Sequence, residues 1–225
     1  MRLKLVIFDA DGTLVDSQAD ILGSMHGAFE RQGMTSPSRE DILGIVGLSL
    51  DVAMLKLAPT TDAVTRAALV EGYKHTYMRR REAVGAKESS PLYPGALAAL
   101  DRLKARDDVV LGVATGKSRR GLDKLIEGHG LEGYFLTRQV ADDHPSKPHP
   151  SMILTALAEM GIESGDAVMI GDTSYDMEMA QSAGVAGLGV SWGYHPSSAL
   201  SAAKHIIEDF SALDTVLEQM FGELA

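Results

Sequence analysis

Leu3 to Phe8 is an apolar run, interrupted only by Lys4, that stops abruptly at Asp9. A short run without polar alternation is the pattern of a parallel strand covered on both faces, and it constrains the fold more than any other feature of the chain. The pattern recurs in Val109-Val110-Leu111-Gly112-Val113-Ala114, in Ala167-Val168-Met169-Ile170, and more weakly from Val185 to Val190. Helical spacing fills the intervals. Leu97, Leu100 and Leu103 share a face, as do Leu122, Leu125 and Ile126, closed by Gly128 and Gly130. Ile153, Leu154, Leu157 and Met160 follow Pro150 and stop at Gly161, proline at the start and glycine at the end. Leu213, Val216, Leu217 and Met220 form a last helical face after Ser211. Strand–helix alternation predicts an α/β fold with a doubly wound, mostly parallel sheet.

Residues 17–90 break the alternation and read as helices only. Ile21, Leu22, Met25, Ala28 and Phe29 run up to Gly33, a short piece follows Ser38, another spans Ser49 to Leu57, and a long one runs from Thr61 to about Glu82. This segment carries nine basic and nine acidic residues, whereas the whole chain has a net charge of −10. The composition shift predicts an all-helical insertion after the first strand, with residues 1–16 and 91–225 forming the α/β part. Val15-Asp16-Ser17 and Ser89-Ser90-Pro91-Leu92-Tyr93-Pro94 are the expected hinges.

Several classes of function are excluded or disfavoured. Cysteine is absent, which removes disulfides, iron–sulfur clusters, thiolate zinc sites and cysteine nucleophiles. An acidic chain argues against nucleic acid as a partner, which would need a basic face. No apolar run approaches the roughly 18 residues of a membrane span. The first apolar stretch is too short for a secretion signal, so a cytoplasmic location is expected.

Four segments carry chemistry. Phe8-Asp9-Ala10-Asp11-Gly12-Thr13-Leu14 places two carboxylates two residues apart at a strand end, where open α/β sheets bind ligands. If strand geometry persists, both point the same way, and their mutual repulsion favours one protonated and one ionised group. Leu111-Gly112-Val113-Ala114-Thr115-Gly116-Lys117-Ser118 ends a strand in a hydroxyl residue where a helix begins, which reads either as a phosphate-binding turn or as an N-cap. Its Gly-Lys-Ser lacks the upstream glycine of a P-loop. Ser146-Lys147-Pro148-His149-Pro150 offers a lysine between prolines, as a phosphate-binding charge or as a surface lysine. His144 and His149 lack a third ligand nearby and are expected to be structural or exposed. Met169-Ile170-Gly171-Asp172-Thr173-Ser174-Tyr175-Asp176 again sets carboxylates after a strand, suited either to Mg²⁺ or to capping the next helix.

In that order, the Asp-x-Asp-Gly-Thr-Leu-Val-Asp-Ser, Thr-Gly, Lys-Pro-x-Pro and Gly-Asp-Thr-x-x-Asp segments resemble the four motifs of haloacid-dehalogenase-superfamily phosphatases, over essentially the whole chain. The helical insertion is similar to that family's cap, and Ile45-Val46-Gly47-Leu48-Ser49-Leu50 looks like a phosphoglycolate-phosphatase stretch. The resemblance implies a Rossmann-like core and a Mg²⁺ cofactor. It implies Asp9 as nucleophile, Asp11 as acid and base, and Thr115, Gly116 and Lys147 as phosphoryl-binding groups. Asp9, Asp11, Asp172 and Asp176 would surround the metal, Asp11 through its carbonyl and Asp176 as ligand or supporting group.

The expected partner is a small phosphate ester meeting a monomer or homodimer, with no nucleic acid and no membrane. 2-Phosphoglycolate leads, because a compact closing cap is expected to leave little room beyond the phosphoryl group. Gly47 is expected near substrate, and Arg79-Arg80-Arg81 is read as a solvated helix face. Rival readings are a sugar phosphomutase or pyrophosphatase on the same fold, and a catalytically silent binding protein. The second aspartate, Asp11, argues against the dehalogenase and phosphonatase branches.

Overall fold

The first apolar run alternates between two cores, which is why it contains no polar positions after Lys4. Leu5 and Ile7 face one side of the sheet, Val6 and Phe8 the other, and all four are fully buried. The computed structural model describes residues 2–223 and gives them this order: strand β1 (Lys4–Phe8), helices α1 (Gln18–Arg31), α2 (Arg39–Leu43), α3 (Leu50–Leu57), α4 (Ala63–Val84), α5 (Ala86–Ser89) and α6 (Ala96–Lys104), strand β2 (Val109–Thr115), helix α7 (Arg119–His129), strand β3 (Thr137–Val140), helix α8 (Ser151–Met160), strand β4 (Ala167–Gly171), helix α9 (Ser174–Ser182), strands β5 (Ala186–Val190) and β6 (His205–Ile207), and helix α10 (Leu213–Glu223).

Among the described residues the six strands form one parallel sheet in the order β3-β2-β1-β4-β5-β6. Residues of α6, α7 and α10 pack with Val6, Phe8, Leu111 and Val113 on one face. Residues of α8 and α9 pack with Leu5, Ile7 and Met169 on the other. The doubly wound expectation is met, and the strand order reverses direction between β1 and β4, where such sheets open a crevice for ligands. The register brings the strand ends level there. Phe8 pairs with Val113 of β2 and Ile170 of β4, and the Asp9 amide continues the ladder by donating to the Ile170 carbonyl at 2.9 Å.

Two strands have no counterpart in the sequence expectation. β3 and β6 lie at the two edges, and β3 is polar because Thr137 and Gln139 are buried against Glu159 rather than against apolar side chains. His144 belongs to the same network, bonded to Gln139 at 2.8 Å and Ser151 at 2.9 Å, which fits the expected structural histidine.

α1 to α4 build a separate apolar cluster from Ile21, Met25, Phe29, Ile42, Met54 and Leu69. Ser38 and Asp41 form a capping box for α2, and Asp62 accepts from the Thr65 amide at the start of α4. The two connections to the sheet run side by side. The Asp16 amide donates to the Pro91 carbonyl at 2.8 Å, and the Tyr93 amide donates to the Leu14 carbonyl at 2.9 Å. Helix α5 reaches into the second expected hinge as far as Ser89.

Candidate active site

Because the ends of β1 and β4 are level, the residues that follow them meet. Asp9, Asp172 and Asp176 each present a carboxylate oxygen within 4.8 Å of the others, and all three are buried. The Lys147 ammonium lies among them, 3.0 Å from Asp9 Oδ1 and 2.6 Å from Asp176 Oδ1, with the lysine 2 % exposed. The alternative of a surface lysine is therefore overturned. Asp176 Oδ2 accepts from the Thr173 amide at 3.1 Å and hydroxyl at 2.7 Å, closing the capping box of α9. Asp172 accepts from the Thr13 hydroxyl at 2.9 Å and the Tyr194 amide at 2.8 Å. The capping reading of the fourth motif holds for Thr173 and Asp176, while Asp172 stays directed into the acidic cluster.

Asp9 is the exception. Neither of its oxygens accepts a well-aligned hydrogen bond, although both are buried. Burial pushes its carboxyl up to about 7, with Asp176 and Asp11 adding to the rise and Lys147 opposing it. Asp172 is likewise raised by burial and by Asp176 and Asp9. Burial lowers the Lys147 pKa, but Asp176 and Asp9 outweigh it and hold the ammonium protonated. Three buried carboxylates facing one ammonium leave an excess of negative charge that a hard divalent cation with oxygen ligands would neutralise. The residues thus fit Mg²⁺.

Asp11 stands apart from this cluster. Its carboxylate is paired with Lys117 at 2.7 Å and accepts a short hydrogen bond from the Ser17 hydroxyl. Lys117 also donates to the Tyr77 hydroxyl of α4 at 3.2 Å, so one ammonium links Asp11 to the helical insert. Thr115 ends β2, where its hydroxyl accepts from the Lys117 amide at 3.2 Å. Ser118, not Thr115, is the N-cap of α7, which removes the capping alternative for Thr115. Gly12 has φ +81°, and a Cβ there would lie 2.2 Å from Asp172 Oδ2. Gly12→Ala is expected to lower stability by more than about 1 kcal/mol, read as a lowered Tm, because it strains the turn and drives Asp172 aside.

A cavity of about 780 Å³ opens between sheet and insert. Asp9, Asp11, Thr115, Gly116 and Lys117 line its floor, and Gly47 with Tyr73, Tyr77 and Arg81 line the insert side. Lys147, Asp172 and Asp176 do not line it. The Gly47 loop seats directly on the sheet edge, since a Cβ on Gly116 would come within 2.7 Å of the Gly47 carbonyl oxygen. Two expectations need correction. The space, about 780 Å³, is far larger than a phosphoryl group requires. Arg81 is not solvated: Arg79 and Arg80 are exposed, but the Arg81 guanidinium turns into the cavity. Lys117, Tyr77 and Tyr194 escaped the sequence reading, since their partners lie far along the chain; the place of Lys117, two residues past a strand-end threonine, is the one signal for it, and Ser17, only six residues from Asp11, reads in sequence as a hinge.

Comparison with known proteins shows the family. Residues 6–190 match the family model described as haloacid dehalogenase-like hydrolase. A relative named "Probable phosphatase IndB" from Dickeya dadantii (strain 3937) is 37% identical over 214 residues, covering 92% of this chain and 90% of that one. A phosphoglycolate phosphatase from Agrobacterium fabrum is 29% identical, covering 95% and 91%. The crystal structure of a hydrolase from Pseudomonas syringae superimposes with a TM-score of 0.84 at 23% identity, over 96% and 98% of the two chains, and shares the fold. The chain belongs to the haloacid dehalogenase-like hydrolase family.

Proposed function

We propose that the protein is a Mg²⁺-dependent phosphatase that hydrolyses a small phosphate monoester through an aspartyl-phosphate on Asp9, with residues 17–90 as a cap over a core of 1–16 and 91–225. The observation that carries this reading is the Asp9 carboxylate. It is buried, lacks well-aligned hydrogen-bond donors, and lines the same cavity as Asp11 and Thr115.

In the first step an Asp9 oxygen attacks phosphorus and the ester P–O bond breaks. Asp11 gives its proton to the leaving oxygen, which departs as an alcohol. In the second step the Asp11 carboxylate takes a proton from water, whose oxygen attacks phosphorus; phosphate leaves and Asp9 is restored. Thr115, the Gly116 backbone and Lys147 bind the phosphoryl oxygens, and Lys147 offsets the charge that builds on them. Lys117 and Ser17 hold the Asp11 side chain in place. Asp9, Asp172 and the Asp11 main-chain carbonyl would hold Mg²⁺, which supplies positive charge against the transferring phosphoryl group. Asp176, with both oxygens already engaged, serves to anchor Lys147 and α9. The insert excludes water from the first step.

2-Phosphoglycolate is the favoured substrate, supported by similarity to relatives such as the Agrobacterium fabrum phosphoglycolate phosphatase. The test is a panel of phosphate esters with the purified protein in Mg²⁺, in excess chelator and in Ca²⁺. Free phosphate should appear only with Mg²⁺, and Ca²⁺ should fail because it takes more ligands at longer distances. Full activity in chelator would refute the metal assignment. A rearranged sugar phosphate in place of free phosphate would favour a mutase. A preference of more than about tenfold for hexose phosphates, nucleotides or pyrophosphate would overturn the glycolate assignment.

A further inference from the structure

Tyr73, Tyr77 and Arg81 are spaced four apart on α4, so they form one stripe about 12 Å long on the cavity side. Tyr73 and Tyr77 stack with ring centroids 5.9 Å apart. Tyr77, in the middle of the stripe, marks the catalytic level, because its hydroxyl accepts from Lys117, which pairs with Asp11. Arg81 lies one turn further on, above the first turn of α7, where Nη1 approaches the Gly121 carbonyl at 3.4 Å. Its Nε and Nη2 are buried and have no protein acceptor. These two nitrogens share one edge of the guanidinium, and their parallel N–H bonds match the paired oxygens of a carboxylate. Glu71, Glu82, Asp51 and Asp142 also line the cavity, yet none of them pairs with Arg81. Leaving charged donors buried and unmade is costly, so the edge is suited to an acceptor that arrives with the substrate.

We infer that Arg81 is the specificity determinant of the cavity, binding a carboxylate on the leaving alcohol, about one helical turn from the level where the phosphoryl group reacts. The inference rests on the phosphatase reading for its substrate and extends it to a residue and a chemical group.

The test compares ester pairs that differ in the carboxylate: 2-phosphoglycolate with ethyl phosphate, and 3-phosphoglycerate with glycerol 3-phosphate. The wild type should favour the carboxylate member of at least one pair. In Arg81→Met the ratio of kcat/KM within that pair should fall about 10- to 100-fold, mostly through KM, with Arg81→Lys intermediate. If both members fall together and the ratio is kept, Arg81 only docks the insert on Gly121 and the inference is wrong. Preference for a bisphosphate over both members would reassign the edge to phosphate. Calorimetric titration with phosphonoacetate and ethylphosphonate in Mg²⁺ gives a readout without turnover. Tighter phosphonoacetate binding that is lost in Arg81→Met and partly kept in Arg81→Lys supports the inference, and equal binding of the two ligands by the wild type overturns it. Should no ester be hydrolysed, the phosphatase reading fails while this titration still decides the role of Arg81. A Met variant with a collapsed Tm leaves the Lys variant to carry both measurements.

Discussion

Asp9→Asn is expected to reduce kcat by about 10⁴-fold or more while raising the Tm of the metal-free protein at pH 8. The first effect follows from removing the attacking oxygen, since loss of a nucleophile alone removes most of covalent catalysis. The second follows from the pKa. Burial raises Asp9 from 3.8 to about 7, so the folded protein binds a proton there that the unfolded chain releases. Stability must then decline as pH rises from about 4 through about 7, and the full cost remains above that range. Asparagine has nearly the same volume and no such cost, and Lys147 keeps Asp176 as a partner at 2.6 Å. Melting curves in chelator at pH 4 and pH 8 should show little difference at the low pH and a more stable variant at the high one. Turnover above about a hundredth of wild type would end the covalent mechanism, and a less stable variant at pH 8 would end the electrostatic account.

Lys147→Met should act in the opposite direction on stability. It fills the same space, yet leaves Asp9, Asp172 and Asp176 buried without their cation, and breaking a buried pair from one side costs about 3–5 kcal/mol. The lysine is held protonated, above its ordinary value, so its contribution is complete at neutral pH and disappears only above its unfolded pKa, under strongly alkaline conditions. The variant's deficit in Tm should therefore be large at pH 8 in chelator and shrink as pH falls through about 7, where Asp9 becomes protonated. Saturating Mg²⁺ should restore part of it, and activity should stay low because phosphoryl charge is no longer offset. A deficit independent of pH would mean that Lys147 serves packing alone.

What the sequence made legible was whatever is local. β1, β2 and β4 are buried on both faces and read directly as apolar runs, and α2 and α7 carry their serine N-caps in sequence. Three of the four motifs lie at strand ends and converge because those strands are in register, and Lys147 joins them from the loop between β3 and α8. The edge strands were illegible for a physical reason. β3 buries Thr137 and Gln139 by pairing them with Glu159, so burial leaves no apolar signature. β6 is three residues long and has no period to detect. Lys117 and Arg81 were missed because their surroundings are made by segments 40 or more residues away. An arginine triplet on a helix looks uniform in sequence, but a 100° step per residue puts Arg80 beside Asp20 and Arg81 above Gly121.

The paired connections at Asp16–Pro91 and Leu14–Tyr93 bear on how such a chain diversifies. The polypeptide leaves the sheet and returns to it at neighbouring points, cross-linked by main-chain hydrogen bonds that ask nothing of side-chain identity. Whatever lies between them is therefore a cassette. A helical segment of different length or surface can be grafted there without moving β1, and the aspartates at its end keep their positions while the wall opposite them is exchanged. Selectivity is in this way inherited through the cassette, and reactivity through the frame except at Asp11, which Ser17 and Tyr77 of the cassette still touch directly or through Lys117.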